Sequence, residues 1–353
     1  MGERGFETVV ERGLVETVSA GFPPYAAFVA AEPHELVAPR LVRPPVWLVE
    51  ANALDEESLE ALAHRTAASG VQAVVGIGGG SAVDSAKFVA WRTGLPLWQF
   101  PSIASVDAVF TKPAGVRVDG RVRYLGSATP ELVAFDLDLV LGAPRRLNRA
   151  GAGDILSCHT GLADWRRAAA AGDHPQPVVD DLVTLAEGWL RGLDEQAEAV
   201  AEAGEEGVRF LIATLREIGT TCDAVGFSYF EEGSEHYFAY CLEYLTGLHL
   251  VHGELIALGI LAMSVAQRND PEGIETLLRR LGVRHRPEEL GIDRETLRRV
   301  LAALPEFCAD EGFPPSAAGG LDEAACAEIE EWFGTATGAS AEAQTPRAHP
   351  GAH

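Results

Sequence analysis

The stretch VQAVVGIGGGSAVDSAK, residues 71–87, decides the fold. Its first half is a short apolar run rich in Val and Ile, which is typical of a buried strand. Gly78, Gly79 and Gly80 then allow a sharp turn with no Cβ atoms in the way of a ligand. Ser81 is suited to cap the helix that follows, predicted over residues 82–91. A strand, a glycine turn and a helix N-terminus direct free N–H groups at one point, which favours a phosphate or pyrophosphate site.

The glycine spacing matches neither the GxGxxG dinucleotide pattern nor the P-loop pattern. From this stretch alone, a plain strand-to-helix turn without a ligand is therefore an open alternative.

The chain around this stretch alternates strands with helices. Apolar runs predict strands at residues 25–31, 46–49, 95–100 and 132–135, a helical pattern covers residues 55–69, and residues 116–125 have the pattern of a hairpin. Residues 1–20 have apolar positions at roughly helical spacing. This order predicts a Rossmann-like parallel sheet in an α/β N-terminal domain over residues 1–143.

Long helical patterns dominate from residue 144 onward, and they predict an all-α C-terminal domain over residues 144–334. The α/β first half and the helical second half place a cleft between them. Residues 335–353 contain few apolar side chains, and we expect them to form a disordered tail.

Composition excludes several classes of function. The net charge of −24 and the pI near 4.8 argue against a nucleic-acid or anionic membrane surface. No apolar run of about 18 residues and no leader-like segment is present, so we expect a cytoplasmic protein and no membrane partner. The five cysteines are scattered and form no CxxC motif, which indicates reduced thiols. We expect a homo-oligomer that binds a small molecule.

Three residues in the helical half could hold a metal ion. Asp154, His236 and His252 each lie at a predicted helix start. Two imidazoles and a carboxylate suit Zn²⁺ or Fe²⁺ and leave a position for a substrate oxygen. By itself Asp154 is explained equally well as a helix N-cap. Spacing does not exclude other histidines as ligands, namely His159, His174 and His249.

These features together resemble the metal-dependent polyol dehydrogenases of the iron-containing alcohol dehydrogenase and dehydroquinate synthase superfamily. The resemblance covers roughly residues 8–270 and rests on five stretches in the same order, namely 78–84, 101–107, 149–165, 233–236 and 252–254. It implies a dehydroquinate synthase-like fold. It also implies hydride transfer between NAD or NADP and a small polyol or polyol phosphate, such as glycerol or glycerol 1-phosphate, with a metal that is usually zinc and alternatively Fe²⁺.

The resemblance also implies a role for each matching residue. It assigns Gly78, Gly79, Gly80, Ser81 and Asp84 to the dinucleotide pyrophosphate and nearby ribose, Ser102, Ser105 and Thr111 to the nicotinamide side, and Glu32 to the adenosine ribose. A carboxylate at the ribose favours NAD over NADP by repelling a 2′-phosphate. Asp154, His236 and His252 match the metal ligands. Asp107 matches a substrate-contacting aspartate, and Asp107 and Asp154 are the implied catalytic residues.

Two positions depart from the family pattern. Val106 stands where the family has a histidine, and Tyr240 replaces a second histidine in the substrate pocket, one helical turn after His236. Tyr240 can donate a hydrogen bond, but it cannot carry a positive charge toward a phosphate. Cations that could compensate are Arg149, Arg166 and Lys112. The sequence therefore leaves open whether the polyol is phosphorylated.

Two alternatives to a polyol dehydrogenase remain. A sugar-phosphate cyclase of the dehydroquinate synthase type would use NAD and a metal, but it needs several Lys and Arg around the phosphate. No such residue lies between His236 and His252. A non-catalytic member of the family is the other alternative, and the intact set of three metal ligands argues against it.

Overall fold

The computed structural model describes residues 6–51 and 54–340, with the backbone alone for residues 335–340. Its strands are β1 (Glu7–Glu11), β2 (Tyr25–Val29), β3 (Trp47–Glu50), β4 (Ala73–Gly78), β5 (Leu97–Pro101), β6 (Ala114–Val118), β7 (Arg121–Leu125) and β8 (Leu132–Asp136). Six of them form one parallel sheet in the order β1-β8-β5-β4-β2-β3, and β6 and β7 form an antiparallel hairpin. The predicted parallel sheet and the predicted hairpin are confirmed.

The helices of the first half are α1 (Leu14–Ser19), α2 (Ala31–Val37), α3 (Glu56–Ala68) and α4 (Gly80–Thr93). They cover both faces of the sheet. Along β2, Tyr25 and Ala27 pack in one buried cluster with Val15 of α1, while Phe28 packs in another with Val89 of α4. Because both faces are covered, the central strands are continuous apolar runs rather than alternating ones.

The chain beyond β8 is helical, as predicted. Its helices are α5 (Leu137–Gly142), α6 (Arg145–Arg149), α7 (Gly151–Ala171), α8 (Asp180–Glu195), α9 (Ala197–Glu202), α10 (Glu205–Val225), α11 (Ser234–Thr246), α12 (His252–Gln267), α13 (Pro271–Leu281), α14 (Arg294–Glu311) and α15 (Glu323–Ser340). Phe110 and Phe135 from the first half belong to the same buried cluster as Leu215 and Ile218 of α10. The two halves therefore share one apolar core, and a domain division at residues 143 and 144 stays a prediction.

Three local expectations differ from the structure. The helical interpretation of residues 1–20 is wrong over β1, because Val9 and Val10 pair in parallel with β8 at the edge of the sheet. Ser81 does not cap α4. That helix already begins at Gly80, and the carbonyl of Gly79 accepts the hydrogen bonds of the first turn.

The predicted tail differs at its start. Helix α15 continues through residues 335–340, where two alanines favour helix over coil. The rest of the predicted tail, residues 341–353, lies outside the described residues.

The five cysteines are free thiols, in agreement with the sequence. Within the described residues, no helix is long and apolar enough to cross a lipid bilayer.

Candidate metal and dinucleotide site

The glycine turn lies at the carboxyl edge of the sheet, between β4 and α4. Gly78 has φ +150°, and a Cβ atom there would lie 2.8 Å from the Cβ of Ala30 and 2.9 Å from that of Ala82. A residue with a side chain would therefore push β2, β4 and α4 apart. The N–H groups of Gly80 and Ser81 make no hydrogen bond with the described residues, and they are free to bind an anion at this edge.

The other residues predicted to bind the cofactor line the same edge. The backbone N–H of Ser102, just after β5, donates to the carbonyl of Gly78 at 3.0 Å. Glu32 lies in the first turn of α2, directly after β2. Because β2, β4 and β5 are neighbours in the sheet, their carboxyl ends meet, and this is where parallel α/β sheets bind ligands. The individual cofactor roles stay predictions.

Asp84 and Thr111 use their side chains within the protein. The Asp84 carboxylate lies 2.8 Å from the ammonium of Lys87, which is fully buried, and the Thr111 hydroxyl donates to the carbonyl of Ala108 at 3.1 Å. The Lys87 ammonium also donates to the carbonyls of Ala108 and Pro113 at 2.8 and 2.5 Å. Lys87 therefore ties the helix after the glycine turn to the loop that carries Asp107.

Close contact between α7 and α12 positions the predicted metal ligands. A Cβ atom on Gly153 would lie 2.2 Å from the carbonyl oxygen of Gly253, and one on Gly253 would lie 1.8 Å from that of Ala150. Only glycine permits the two helix starts to approach so closely. The neighbouring residues Asp154 and His252 are thereby brought to one point.

Asp154, His236 and His252 form a group that could hold a metal ion. One ligand atom from each lies within 4.8 Å of the others, and Nε2 of His252 is 3.5 Å from Oδ1 of Asp154. Oδ1 of Asp154 is buried and makes no hydrogen bond with any residue that the structure describes. A buried carboxylate oxygen without a donor is costly unless a cation binds it. The residues present therefore fit a divalent metal.

A carboxylate behind His236 orients its ring. Nδ1 of His236 lies 2.9 Å from Oε1 of Glu235, which leaves Nε2 as the nitrogen available to a metal. Glu235 is itself held, since it accepts hydrogen bonds from the N–H of Gly233 at 2.6 Å and from the hydroxyl of Thr160 at 2.5 Å. Fixing the tautomer in this way is typical of histidine metal ligands.

The pKa values of these groups reflect burial and mutual charge. Burial raises the pKa of Asp154, against the positive charge of His236. Burial works against the charged form of His236, but the hydrogen bond to Glu235 and the charge of Glu232 outweigh it and raise the pKa to about 9. Burial and the charge of His236 lower the pKa of His252. These shifts show that burial and neighbouring charges act on all three groups.

Asp107 and Tyr240 lie beside this group. The backbone N–H of Asp107 donates to Oδ2 of Asp154 at 3.2 Å. The Tyr240 ring lies 6.0 Å from that of His236, and its hydroxyl donates to Glu232 at 2.7 Å. The hydroxyl of Tyr124, from the β6–β7 hairpin, reaches the same Glu232 oxygen at 2.8 Å. The hairpin therefore contributes to the wall of the cleft.

The three alternative histidines and one of the three candidate cations lie elsewhere. His159 bonds the carbonyl of Asn269 and His174 that of Gln176, while His249 is exposed. Arg166 pairs with Glu187 on the surface at 2.6 Å. These contacts remove three alternative ligands and one candidate phosphate partner.

Sequence reasoning missed four residues of the site. Glu235, Glu231 and Glu232 lie in or just before the motif that contains His236, and Lys87 lies three residues after Asp84. The adjacency of Glu235 to a predicted ligand was the one available signal. Burial of Lys87 and of the two other glutamates depends on contacts with distant segments.

Comparison with known proteins gives consistent results. The family model for iron-containing alcohol dehydrogenase matches residues 25–144. The glycerol-1-phosphate dehydrogenase (NAD(P)+) of Hyperthermus butylicus is 32% identical over 256 residues, which are 71% of this chain and 72% of that protein. The same enzyme of Methanosphaerula palustris is 30% identical over 76% of this chain and 74% of that protein.

Solved structures share the fold. A probable glycerol dehydrogenase from Sinorhizobium meliloti has a TM-score of 0.74 at 19% identity, with 96% of this chain and 98% of that chain covered. The NADH-dependent butanol dehydrogenase A of Thermotoga maritima has a TM-score of 0.71 at 18% identity, with 94% of this chain and 97% of that chain covered.

Proposed function

Because this chain belongs to the iron-containing alcohol dehydrogenase family, we propose that it is a metal-dependent, NAD(P)-linked oxidoreductase acting on a small polyol. The reaction is hydride transfer between a hydroxyl-bearing carbon and the nicotinamide ring. The names of the relatives include a phosphorylated polyol, glycerol 1-phosphate, so both the free polyol and its phosphate ester are candidates.

One observation carries this proposal: the ligand atoms of Asp154, His236 and His252 converge within 4.8 Å, with a buried Asp154 oxygen that lacks a donor. When bound there, Zn²⁺ or Fe²⁺ would lower the pKa of a substrate hydroxyl and polarise the corresponding ketone. Glu235 fixes the His236 ring, and the N–H of Asp107 fixes the second Asp154 oxygen. The chain thereby holds the ligand set before any metal binds.

Asp107 is the candidate for moving the proton. Burial, followed by the negative charge of Asp154, raises the pKa of the Asp107 carboxyl well above its usual range. A carboxylate with a raised pKa can accept the hydroxyl proton during oxidation and return it during reduction. Asp107 belongs to the loop that Lys87 holds to α4, so the proton acceptor is linked to the glycine turn.

The nicotinamide cofactor would bind along the carboxyl edge of β2, β4 and β5. Gly78, Gly79 and Gly80 would receive the pyrophosphate, since the turn and the start of α4 offer N–H groups without side chains in the way. Glu32, in the first turn of α2, would face the adenosine ribose and favour NAD over NADP.

Loss of NADH absorbance tests the proposal. Zinc-loaded protein is offered dihydroxyacetone and dihydroxyacetone phosphate separately, with NADH or NADPH. We expect oxidation of the cofactor that stops when a chelator is added and that is absent in Asp154→Ala. Unchanged cofactor with both ketones would overturn this substrate class. A reaction that eliminates phosphate without net NADH consumption would instead indicate a cyclase.

A further inference from the structure

A carboxylate held by hydroxyl groups lies in the wall of the cleft, and the proposed function does not use it. The Glu232 carboxylate accepts hydrogen bonds from the hydroxyls of Tyr240 at 2.7 Å, Tyr124 at 2.8 Å and Ser228 at 2.5 Å. The two tyrosine hydroxyls share the oxygen Oε1 and lie 2.9 Å from each other. We call Glu232, Tyr124 and Tyr240 the Glu232 cluster.

The Glu232 cluster lies next to the proposed metal ligands. Tyr240 follows His236 by one turn of α11, and the two rings are 6.0 Å apart. The charge of Glu232 also acts on the pKa values of all three proposed ligands, so this carboxylate faces the same cleft. Tyr240 is 9% exposed and Tyr124 is 53% exposed, so the cluster extends from the interior to the mouth of the cleft. A substrate bound through its reacting hydroxyl would have its other end beside the cluster.

The hydroxyl donors keep the Glu232 carboxylate ionised. Hydrogen bonds donated to a carboxylate stabilise its charged form. Burial opposes the charge, but the positive charge of His236 and the three hydroxyl hydrogen bonds outweigh it and lower the pKa of Glu232. Glu231 differs, because burial raises its pKa well above the usual range. Glu232 therefore presents a fixed negative charge to the cleft.

Two cationic side chains near the cleft are already paired. Arg117, whose charge acts on the pKa of His252, forms an ion pair with Glu243 at 2.8 Å. The Lys87 ammonium pairs with a carboxylate of its own helix and donates to backbone carbonyls. Neither is available to offset the charge of Glu232 against an incoming anion, so a phosphate group at this place would be repelled.

The hydrogen-bonding capacity of the cluster favours an uncharged hydroxyl. A dianionic phosphate ester offers only acceptor oxygens at its phosphate, and the Glu232 carboxylate is also only an acceptor. A free hydroxyl instead donates to a carboxylate or tyrosine oxygen and accepts from a tyrosine hydroxyl. The Glu232 cluster therefore complements the hydroxyl end of a polyol and opposes the phosphate end of its ester.

Resting on the proposed function, we propose that Glu232 is a specificity-determining residue, which selects a free polyol and excludes the corresponding polyol phosphate. Tyr124 and Tyr240 hold the carboxylate in place and offer their hydroxyl oxygens to the far end of the polyol. This chain would then differ in substrate from the relatives that are named for glycerol 1-phosphate.

The test compares two ketones that differ only in the phosphate. Zinc-loaded protein with NADH is offered dihydroxyacetone and dihydroxyacetone phosphate, and we expect kcat/KM for the free ketone to be larger by at least about ten-fold. Glu232→Gln keeps the shape of the side chain and removes its charge. In this variant the preference should shrink by at least about ten-fold, mainly because the KM for the phosphate ester falls. A merely structural role of Glu232 would raise both KM values together.

Two further variants complete the kinetic test. In the exposed control Glu288→Gln, the preference should stay as in the parent protein. Glu232→Ala should shift the preference in the same direction as Glu232→Gln, and it keeps the proposal testable if the glutamine variant does not fold. A parent protein that prefers the phosphate ester, or a preference that survives removal of the Glu232 charge, would overturn the proposal.

Calorimetry separates failure of this inference from failure of the proposed function. Glycerol 1-phosphate is titrated into the zinc-loaded parent and into Glu232→Gln. If neither ketone is reduced, but the ester binds at least about ten-fold more tightly to Glu232→Gln, the role of Glu232 stands and the oxidoreductase proposal fails. If neither ketone is reduced and the ester binds both proteins alike or neither, both proposals fail. Reduction of both ketones with similar kcat/KM in the parent would support the proposed function and overturn the role of Glu232.

Discussion

Two groups of buried charged side chains, one around Lys87 and one around Asp154, differ in whether the protein itself supplies their partners. The Lys87 ammonium is fully buried, yet Asp84 and the carbonyls of the Asp107 loop satisfy it. Asp154 is almost as deeply buried, but its Oδ1 makes no hydrogen bond with any residue that the structure describes. The first cluster is complete within the protein and holds it together, whereas the second is completed only by something that binds.

The largest effect is expected from breaking the complete cluster. Lys87→Met removes the ammonium and leaves the buried Asp84 carboxylate and three carbonyls without their donor. The free energy of unfolding should fall by about 3–5 kcal/mol. Urea denaturation measures it, with Arg92→Met as the control, because Arg92 lies on the same helix but pairs with Glu60 at the surface and should cost under about 1 kcal/mol. Equal stability losses in the two variants would contradict this role of Lys87.

Removing a charge from the incomplete cluster should act on function instead. In Asp154→Asn, we expect bound zinc to be lost. The rate of NAD(P)H turnover should fall by at least about 100-fold, because the metal would stabilise the transition state by several kcal/mol. The metal-free variant should be no less stable than the metal-free parent, because burial disfavours the ionised carboxylate that the substitution removes. Zinc analysis and urea denaturation of the same samples measure both. A stability loss comparable to that of Lys87→Met would show that Asp154 is a structural residue.

A smaller effect is expected from the group that orients a ligand. Glu235→Gln weakens the hold on Nδ1 of His236 while leaving the three ligands in place. The affinity for zinc should fall by about 10–100-fold. Competition with a chromogenic chelator measures it. Glu243→Gln, on the same helix but paired with Arg117, is the control and should keep the affinity of the parent protein. If the two variants bind zinc alike, Glu235 does not position His236.

The smallest effect is expected at Glu232, because its carboxylate accepts several hydrogen bonds and the loss of one leaves the others in place. Tyr124→Phe removes one of the three hydroxyl groups that donate to Glu232, and Tyr240 and Ser228 remain. The free energy of unfolding should fall by about 1 kcal/mol. Tyr229→Phe is a matched control, because that hydroxyl makes no hydrogen bond with the described residues. A larger loss in the control than in Tyr124→Phe would reverse the assignment.

The same two clusters show what sequence alone could and could not predict. The glycine turn follows from a short-range pattern, so it was predicted. The three candidate metal ligands follow from short motifs whose order along the chain resembles that of the family. Lys87 bonds carbonyls 21 and 26 residues away. The burial of Glu231 depends on packing against Gly161 of α7, and nothing local marks either residue. The edge strand β1 was missed for a similar reason, because its partner β8 follows more than a hundred residues later.

Anomalous diffraction at the zinc absorption edge, from crystals of the full chain grown with Zn²⁺, tests the central claim most directly. The account predicts one peak bonded to Oδ1 of Asp154, Nε2 of His236 and Nε2 of His252, with Glu235 still on Nδ1 of His236. A peak among Asp107, Cys222 and Glu231 in its place, or none in the cleft, would contradict it.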